Sequence, residues 1–523
     1  MTDKYILAID LGTTGPKVGV FSTRGQVIGY EFEPTPVTLL PNGGAEQDPD
    51  DWWNAVKQAT RRLLGQGRVP VESIVALCCT TQWSGTVAVD QDGRHLTNAI
   101  IWMDSRGAKY IEELTGGGIA LEGYGVGKLL KWIRLTGGVP THSGKDPIAH
   151  ILLIKNERPE IYQATFKFLE PKDYLNLRLT GQFAASYDSI ALHWLTDNRN
   201  IARIDYDAGL LKMSGIARDK LPDLKRAVDI LGPIKPESAR ELGLGGNVQV
   251  VMGTPDVHSA AIGSGAVRDY DAHLYLGTSS WLACHVPFKK TDLFHNMASL
   301  PAALPGKYLL SNEQECAGAC LNYLCDNLLY PDDELRQQVS PSDLLPTLDR
   351  IAARVPAGSD KLIFLPWLYG ERTPVDDSRL RGGFFNASLK TTRAHMIRAV
   401  YEGVAYNSRW LLKYVELFTQ RRCDAINVIG GGAKADVWCQ IHADVLDRPI
   451  RQVKNPIQAN LRGAVFLAAL ALGDLSVHDI PSRVEIAKTY APNPDHRRIY
   501  DELFGEFVNI YKSNQKIFAR LNR

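Results

Sequence analysis

The chain has little of what marks several large classes of protein. Its 59 Lys and Arg are offset by 58 Asp and Glu, for a net charge of +1. That leaves no basic field of the kind nucleic-acid binding requires. No apolar run reaches membrane-spanning length, and residues 1–4 lead straight into a strand pattern without a charged and apolar leader. The reading is a cytoplasmic protein with neither a membrane nor a nucleic acid as partner. Cysteine is sparse, eight in 523 residues, and none is paired as CxxC. A disulfide framework is thereby excluded. Cys316 and Cys320 share one helical face but lack further ligands beside them, so they read as core residues and not as a zinc site.

Against these absences stand two copies of one pattern. Ile6 to Phe21 is two apolar β-type runs around Gly12-Thr13-Thr14-Gly15, and His273 to Val286 repeats strand, Gly277-Thr278-Ser279 turn and strand. Such turns bring backbone N–H groups and hydroxyls to bear on one oxyanion. Asp10 at the end of the first strand needs a compensating cation such as phosphate-bound Mg²⁺. One loop alone reads equally as an ordinary hairpin. Two in separate halves imply a duplicated fold that clamps a polyphosphate from both sides.

The length asks for at least two domains, since single cores stop growing at roughly 250 to 300 residues. Strand and helix signals alternate along the chain. Asp48 to Asp51 supplies a cap, a proline and acidic residues for a helix to about Leu64. Further helices are expected over 128–135, 146–156, 260–267, 315–329, 391–418, 435–446, 460–472 and 498–521, and strands over 73–79, 99–102, 248–253, 361–366 and 424–429. Glycine clusters between residues 116 and 146 read as an insertion or lid.

Three groups at strand ends carry possible chemistry. Gln82-Trp83-Ser84 with Asp104 sets polar atoms around an aromatic face, as a hydroxyl-rich ligand needs; loop or core roles fit the pattern as well. Asp256 is placed either to take a proton or to cap a helix. Gly430-Gly431-Gly432-Ala433 lets a ligand approach the backbone, or simply makes a tight turn.

Taken in order, these stretches resemble the FGGY family of carbohydrate kinases over nearly the whole chain. The resemblance also rests on Ala45-Glu46-Gln47-Asp48-Pro49 before Trp52-Trp53, Trp102-Met103-Asp104, Pro171-Lys172-Asp173-Tyr174 and Arg178-Leu179-Thr180-Gly181. Gly370-Glu371-Arg372-Thr373-Pro374, Arg381-Gly382-Gly383-Phe384, Glu402-Gly403 and Trp438 complete it. It implies an α/β fold of two actin-like, ribonuclease-H-like lobes, 1–268 and 269–523, with the nucleotide and substrate cleft between them. It implies ATP and Mg²⁺, with Asp256 as the catalytic base and Asp10 facing the metal. Gly12, Thr13, Thr14, Lys17, Gly277, Thr278, Ser279, Gly318, Gly431, Gly432 and Asp436 are the nucleotide set, and Gln82, Trp83, Ser84, Asp104 and Asp256 hold the sugar. Trp83-Ser84 departs from the Met-His of xylulose kinases and the Arg-Glu of glycerol kinases, and Val257 stands where the residue after the base is usually polar. The expected acceptor is a small sugar or polyol, a pentulose such as D-xylulose. Glycerol, erythritol, ribulose and gluconate are the alternatives, and an actin-like ATPase that ignores sugars is the rival class. A homodimer is left open.

Overall fold

The computed structural model describes residues 3–334 and 340–522. Two mixed sheets organise it. The first contains β1 (Tyr5–Gly12), β2 (Gly15–Ser22), β3 (Val27–Phe32), β4 (Ile74–Thr81), β5 (Ile230–Pro233) and β6 (Gln249–Pro255), in the order β3-β2-β1-β4-β6-β5. The second contains β7 (Ala272–Leu276), β8 (Ser280–Val286), β9 (Thr291–Asp292), β10 (Met297–Pro301), β11 (Tyr308–Ser311), β12 (Ile426–Ile429), β13 (Ile450–Val453) and β14 (Ile486–Tyr490), in the order β9-β10-β11-β8-β7-β12-β13-β14. From β3 and from β11 the two sheets run identically: antiparallel, antiparallel, parallel, parallel, antiparallel. The duplication read from the hairpins therefore extends to six strands in each half.

The period of two along β1 sets the layers. Leu7, Ile9 and Leu11 face α1 (Pro49–Leu64), packing with its Trp52, Val56, Ala59 and Leu63. Asp48 caps that helix, its Oδ1 accepting the Asp50 N–H at 2.9 Å. Ile6 and Ala8 point the other way, and Asp10 shares their face. The glycine-rich stretch builds a small hairpin, Ala120–Leu121 with Tyr124–Gly125, and then α2 (Val126–Thr136). Trp132 of α2 shares a core with Ile148 and Ile151 of α3 (Pro147–Glu157).

Between the sheets lies a shared apolar layer. α4 (Asp256–Gly263) follows β6 without a break. In the second half come α5 (Gly318–Leu324), then α6 (Arg393–Thr419) and α7 (Asp436–Leu446) on the outer face, α8 (Ala459–Ala471) on the inner face, and α9 (Arg497–Leu521) outermost. Leu461, Val465 and Phe466 of α8 pack with Ile6, Ala8 and Val251 of the first sheet and with Trp281, Ala283 and Ile429 of the second. A helix from the second half thus completes the core of the first. Its approach to α4 is backbone to backbone: a Cβ on Gly263 would stand 1.8 Å from Ala459 O, and one on Gly463 would stand 1.9 Å from Ser259 O. Arg462 ties the crossing, donating from Nη1 to Gly263 O at 3.0 Å and from Nη2 to Lys454 O at 2.8 Å.

Three expected elements differ. α4 starts at Asp256, four residues before the expected 260, because β6 delivers the chain directly into it. The helix expected over 315–329 is α-helical only from Gly318 to Leu324, with a wider turn over Cys325–Leu329. The preceding backbone is spent on the second hairpin, with Ala317 N donating to Thr278 O at 2.8 Å and Gln314 N to Ser280 O at 2.7 Å. The strand at 99–102 stops at Ile100, since the chain turns there to deliver Trp102 to the first hairpin.

The crossing predicts opposite outcomes for two glycines. Gly463→Ala forces α8 away from α4 and should lower Tm by several degrees. Gly505→Ala, in α9 with nothing within 4 Å of the added methyl, should stabilise by about 0.5–1 kcal/mol. Thermal melts of both variants decide it.

Candidate active site

The carboxyl ends of β1, β4 and β6 lie side by side: Asp10 pairs with Thr80, and Thr80 and Thr81 pair with Thr254 and Pro255. Asp10, Gln82 and Asp256 therefore fan out from neighbouring strand ends, where open α/β sheets bind ligands. At the first hairpin Gly12 pairs with Gly15, leaving Thr13-Thr14 as a two-residue turn. Gly15 has φ +137°, and a Cβ there would meet Glu33 O at 2.0 Å. Thr14 is exposed at the tip. Thr13 is held: its hydroxyl accepts from Trp102 Nε1 at 2.9 Å and donates to Gln82 Oε1 at 3.1 Å, and its carbonyl accepts from Gln47 Nε2 at 2.9 Å. Gln82 Nε2 donates to Gln47 Oε1 at 2.8 Å, closing the network.

The expected sugar residues are drawn into the same framework. Asp104 is fully buried, accepting from the N–H of Ala45 and of Arg106, each at 2.9 Å, and from Arg106 Nε at 2.9 Å. It holds the Ala45–Gln47 segment that in turn holds the hairpin. Trp83 Nε1 donates to Ser189 O at 2.9 Å, and its ring meets His258 edge-on with centroids 5.1 Å apart. Ser84, at φ +65°, donates its hydroxyl to Lys145 O at 2.8 Å.

Charge gathers at Asp10 and Asp256. Lys17 lies opposite Asp10 in the ladder, with Nζ 3.2 Å from Oδ2, and the Asp10 carboxylate raises its pKa. Asp10 Oδ1 has no protein partner among the described residues. Asp256 is the first residue of α4, the cap position being Pro255 without a side-chain bond; its Oδ1 accepts the Val257 N–H at 2.8 Å. Burial of its surroundings, then the Asp10 charge, pushes its pKa up to about 7. The second lobe faces this pair. Tyr275 is pushed up to about 12 by burial and feels the charges of Lys17, Asp256 and Asp10. Arg372 donates from Nη1 to Glu313 Oε2 at 2.5 Å, pairs through Nε with Glu315, and sets its guanidinium over the first lobe's Trp102 at 6.0 Å. Beside it the buried Glu371, pushed up to about 7 by desolvation, accepts from Asn407 Nδ2 at 2.5 Å and from the N–H of Arg372 at 2.9 Å.

The expected nucleotide residues of the second lobe meet at the ends of β7 and β12, which are parallel neighbours. Thr278 is exposed at the tip of its three-residue turn, as Thr14 is at the first. Gly430, at φ +91°, passes close to Leu276 O, and Gly432 packs on Trp438, whereas Gly431 has nothing within 4 Å on its Cβ side. Gly431 thus leaves its backbone uncovered on that side. Gly318 sits behind the turn, its N–H donating to Gly277 O at 2.8 Å. Asp436 opens α7, exposed, 3.2 Å from Lys488. Gln47, Lys145, Tyr275, Glu313 and Arg372 lie among these groups, although no sequence pattern singled out their side chains. Gln47 and Arg372 lay within stretches that carried the family resemblance.

Two lobes, each with a hairpin turn between central strands of its sheet and with Asp256 beside the first, have the architecture of an actin-like phosphoryl-transfer enzyme. The chain belongs to the FGGY family of carbohydrate kinases: residues 5–263 match that family's N-terminal domain and residues 272–472 its C-terminal domain. It is an ATP-dependent sugar kinase. A xylulose kinase of Staphylococcus epidermidis is 28% identical, the match covering 100% of this chain and 99% of that protein. A gluconokinase of Bacillus subtilis is also 28% identical, covering 99% and 97%. Solved structures described as a gluconate kinase and as a ligand-bound xylulose kinase, both from Lactobacillus acidophilus, each superpose with TM-score 0.86 at 27% identity, covering 99% of this chain and 100% of theirs. Among the described residues no helix is long and apolar enough to cross a membrane.

The raised Asp256 has a consequence for stability. Its folded value near 7 lies above the ordinary 3.8, so the folded chain keeps a proton that the unfolded chain releases. Stability therefore falls as pH rises between those values. Asp256→Asn removes this cost: its Tm should exceed that of the wild type at about pH 8, and the two should converge near pH 4, as thermal melts across that range will show.

Proposed function

We propose that the enzyme transfers the γ-phosphoryl group of Mg-ATP to a hydroxyl of a five-carbon ketose, with D-xylulose as the leading acceptor and Asp256 as general base. Asp256 carries this assignment: a carboxylate at a strand end, facing the cleft, with a pKa near 7, is suited to take a proton at neutral pH. Oδ1 is occupied by the Val257 N–H, so Oδ2 is the oxygen that accepts the acceptor's proton. Asp10 fits a role toward Mg²⁺, since a hard carboxylate oxygen is left unpartnered beside the phosphate turn; Mg²⁺ held there with ATP supplies positive charge to the γ-phosphoryl oxygens. Thr14 and Thr278 at the two tips, with the backbone of their turns, hold the phosphates. Gly431 leaves room for the adenosine. The two lobes keep water from the transferring group.

Three things support a pentulose. The relatives matched along their whole length include xylulose kinases of Staphylococcus epidermidis and Bacillus subtilis. The Gln82-Trp83-Ser84 loop carries no charge, unlike the charged pair of glycerol kinases at the same place. The Trp83 ring, fixed by Ser189 O, offers an apolar wall to the sugar face. Gluconate is the second reading, favoured by the Lys145 ammonium at this site. A cytoplasmic setting suits the activity, since all eight cysteines are unpaired and buried.

ADP release coupled to a reporter, over D-xylulose, D-ribulose, glycerol, erythritol and D-gluconate, tests the proposal. Turnover should require a sugar and be fastest with a pentulose; ADP release indifferent to sugar would mark an ATPase of another kind. Asp256→Asn should lose roughly 10² to 10⁴ in kcat and keep ATP binding. Because the base works deprotonated, wild-type kcat/KM should fall as pH drops through about 7. Near-normal turnover by a folded Asp256→Asn would remove the assignment.

A further inference from the structure

The loop expected to read the sugar's hydroxyls has little left to read them with. Gln82 spends its amide N–H on Gln47 and its carbonyl on Thr13, Trp83 its indole N–H on Ser189, Ser84 its hydroxyl proton on Lys145 O, and Asp104 its oxygens on Ala45 and Arg106. Specificity has to come from a polar group the chain has not already used. Lys145 is such a group. Its backbone is bonded to the sugar loop through Ser84, while its half-buried Nζ crosses toward the second lobe, 6.0 Å from the centroid of the Tyr369 ring. Among the described residues it makes no ion pair. The charges it faces are Arg372, Glu315 and Glu313, and both carboxylates are already engaged by the Arg372 guanidinium. Burial and the Arg372 cation lower its pKa, so the ammonium stands in a place that disfavours it until oxygen acceptors arrive.

We propose that Lys145 is a specificity-determining residue of the acceptor site, its ammonium donating to the oxygens at the end of the acceptor remote from the transferred phosphate. This rests on the sugar-kinase reading of the cleft. A charge-assisted donor of this kind costs about 10- to 100-fold in affinity when removed.

The test compares wild type, Lys145→Met and Lys145→Arg in ADP release on D-xylulose, D-ribulose and D-gluconate, with Tm and the KM for ATP measured alongside. Lys145→Met should raise the KM of every acceptor it reads by about 10- to 100-fold, with kcat changed far less and with Tm and the KM for ATP unchanged. Lys145→Arg should recover part of the loss. A loss confined to gluconate identifies a carboxylate as the group read, and a loss shared by the ketoses identifies hydroxyls. An acceptor KM within about twofold of wild type for a stable Lys145→Met overturns the proposal. Wild-type enzyme that turns over no acceptor overturns the reading of the cleft instead, and this inference falls with it.

Discussion

Two carboxylates, Asp10 and Asp256, face one cavity with a single lysine between them and the nucleotide turn. Burial first, and then the Asp10 charge, makes Asp256 harder to ionise. Negative charge gathered in a desolvated place is the constraint from which the site follows. It leaves Asp256 able to hold a proton near neutrality, it draws Lys17 onto Asp10, and it makes the arrival of a cation-bearing polyphosphate favourable. A cleft so arranged is unfavourable when empty and relieved when filled, which suits an enzyme that must close on its substrates.

The rigid frame for this constraint is polar and specific. Thr13, Gln47 and Gln82 form one hydrogen-bonded ring into which Trp102 donates, and Asp104, Arg106 and Glu46 brace it from behind. Buried networks hold geometry only when each member is satisfied, because a single loss leaves its partner unpaired in a low dielectric. The two halves use this device unequally. The first turn has two residues and a side-chain brace; the second has three and is braced by backbone bonds from Gln314, Ala317 and Gly318.

Much of this was legible in the sequence because it is local. Alternating apolar residues around Gly12 and Gly277 determine hairpins wherever they fold, and Asp48-Pro49-Asp50-Asp51 starts a helix by its own chemistry. The strand-end places of Asp10, Gln82 and Asp256 follow from the same periodicity. What escaped is non-local. Arg372 meets Glu313 across 59 residues, a pairing that neither segment announces. Asp104 looks from its neighbours like an open sugar contact, yet Arg106, two residues on, folds back and consumes it. Gly318, in the nucleotide set by resemblance, donates its N–H to the turn in front of it, a bond its neighbours do not announce. The start of α4 at Asp256 was hidden because Pro255 ends a strand and admits a helix in one step.

The return of α8 to the first sheet matters while the protein is being made. Ile6, Ala8 and Val251 are synthesised early, but the residues that cover them, Leu461 to Phe466, come about 200 residues after α4. At translation rates of about 5–20 residues per second, the inner face of the first sheet waits roughly 10 to 40 s for its partner. During that interval the nascent chain presents an unfinished apolar surface, and the first lobe becomes a finished unit only when the chain is nearly complete.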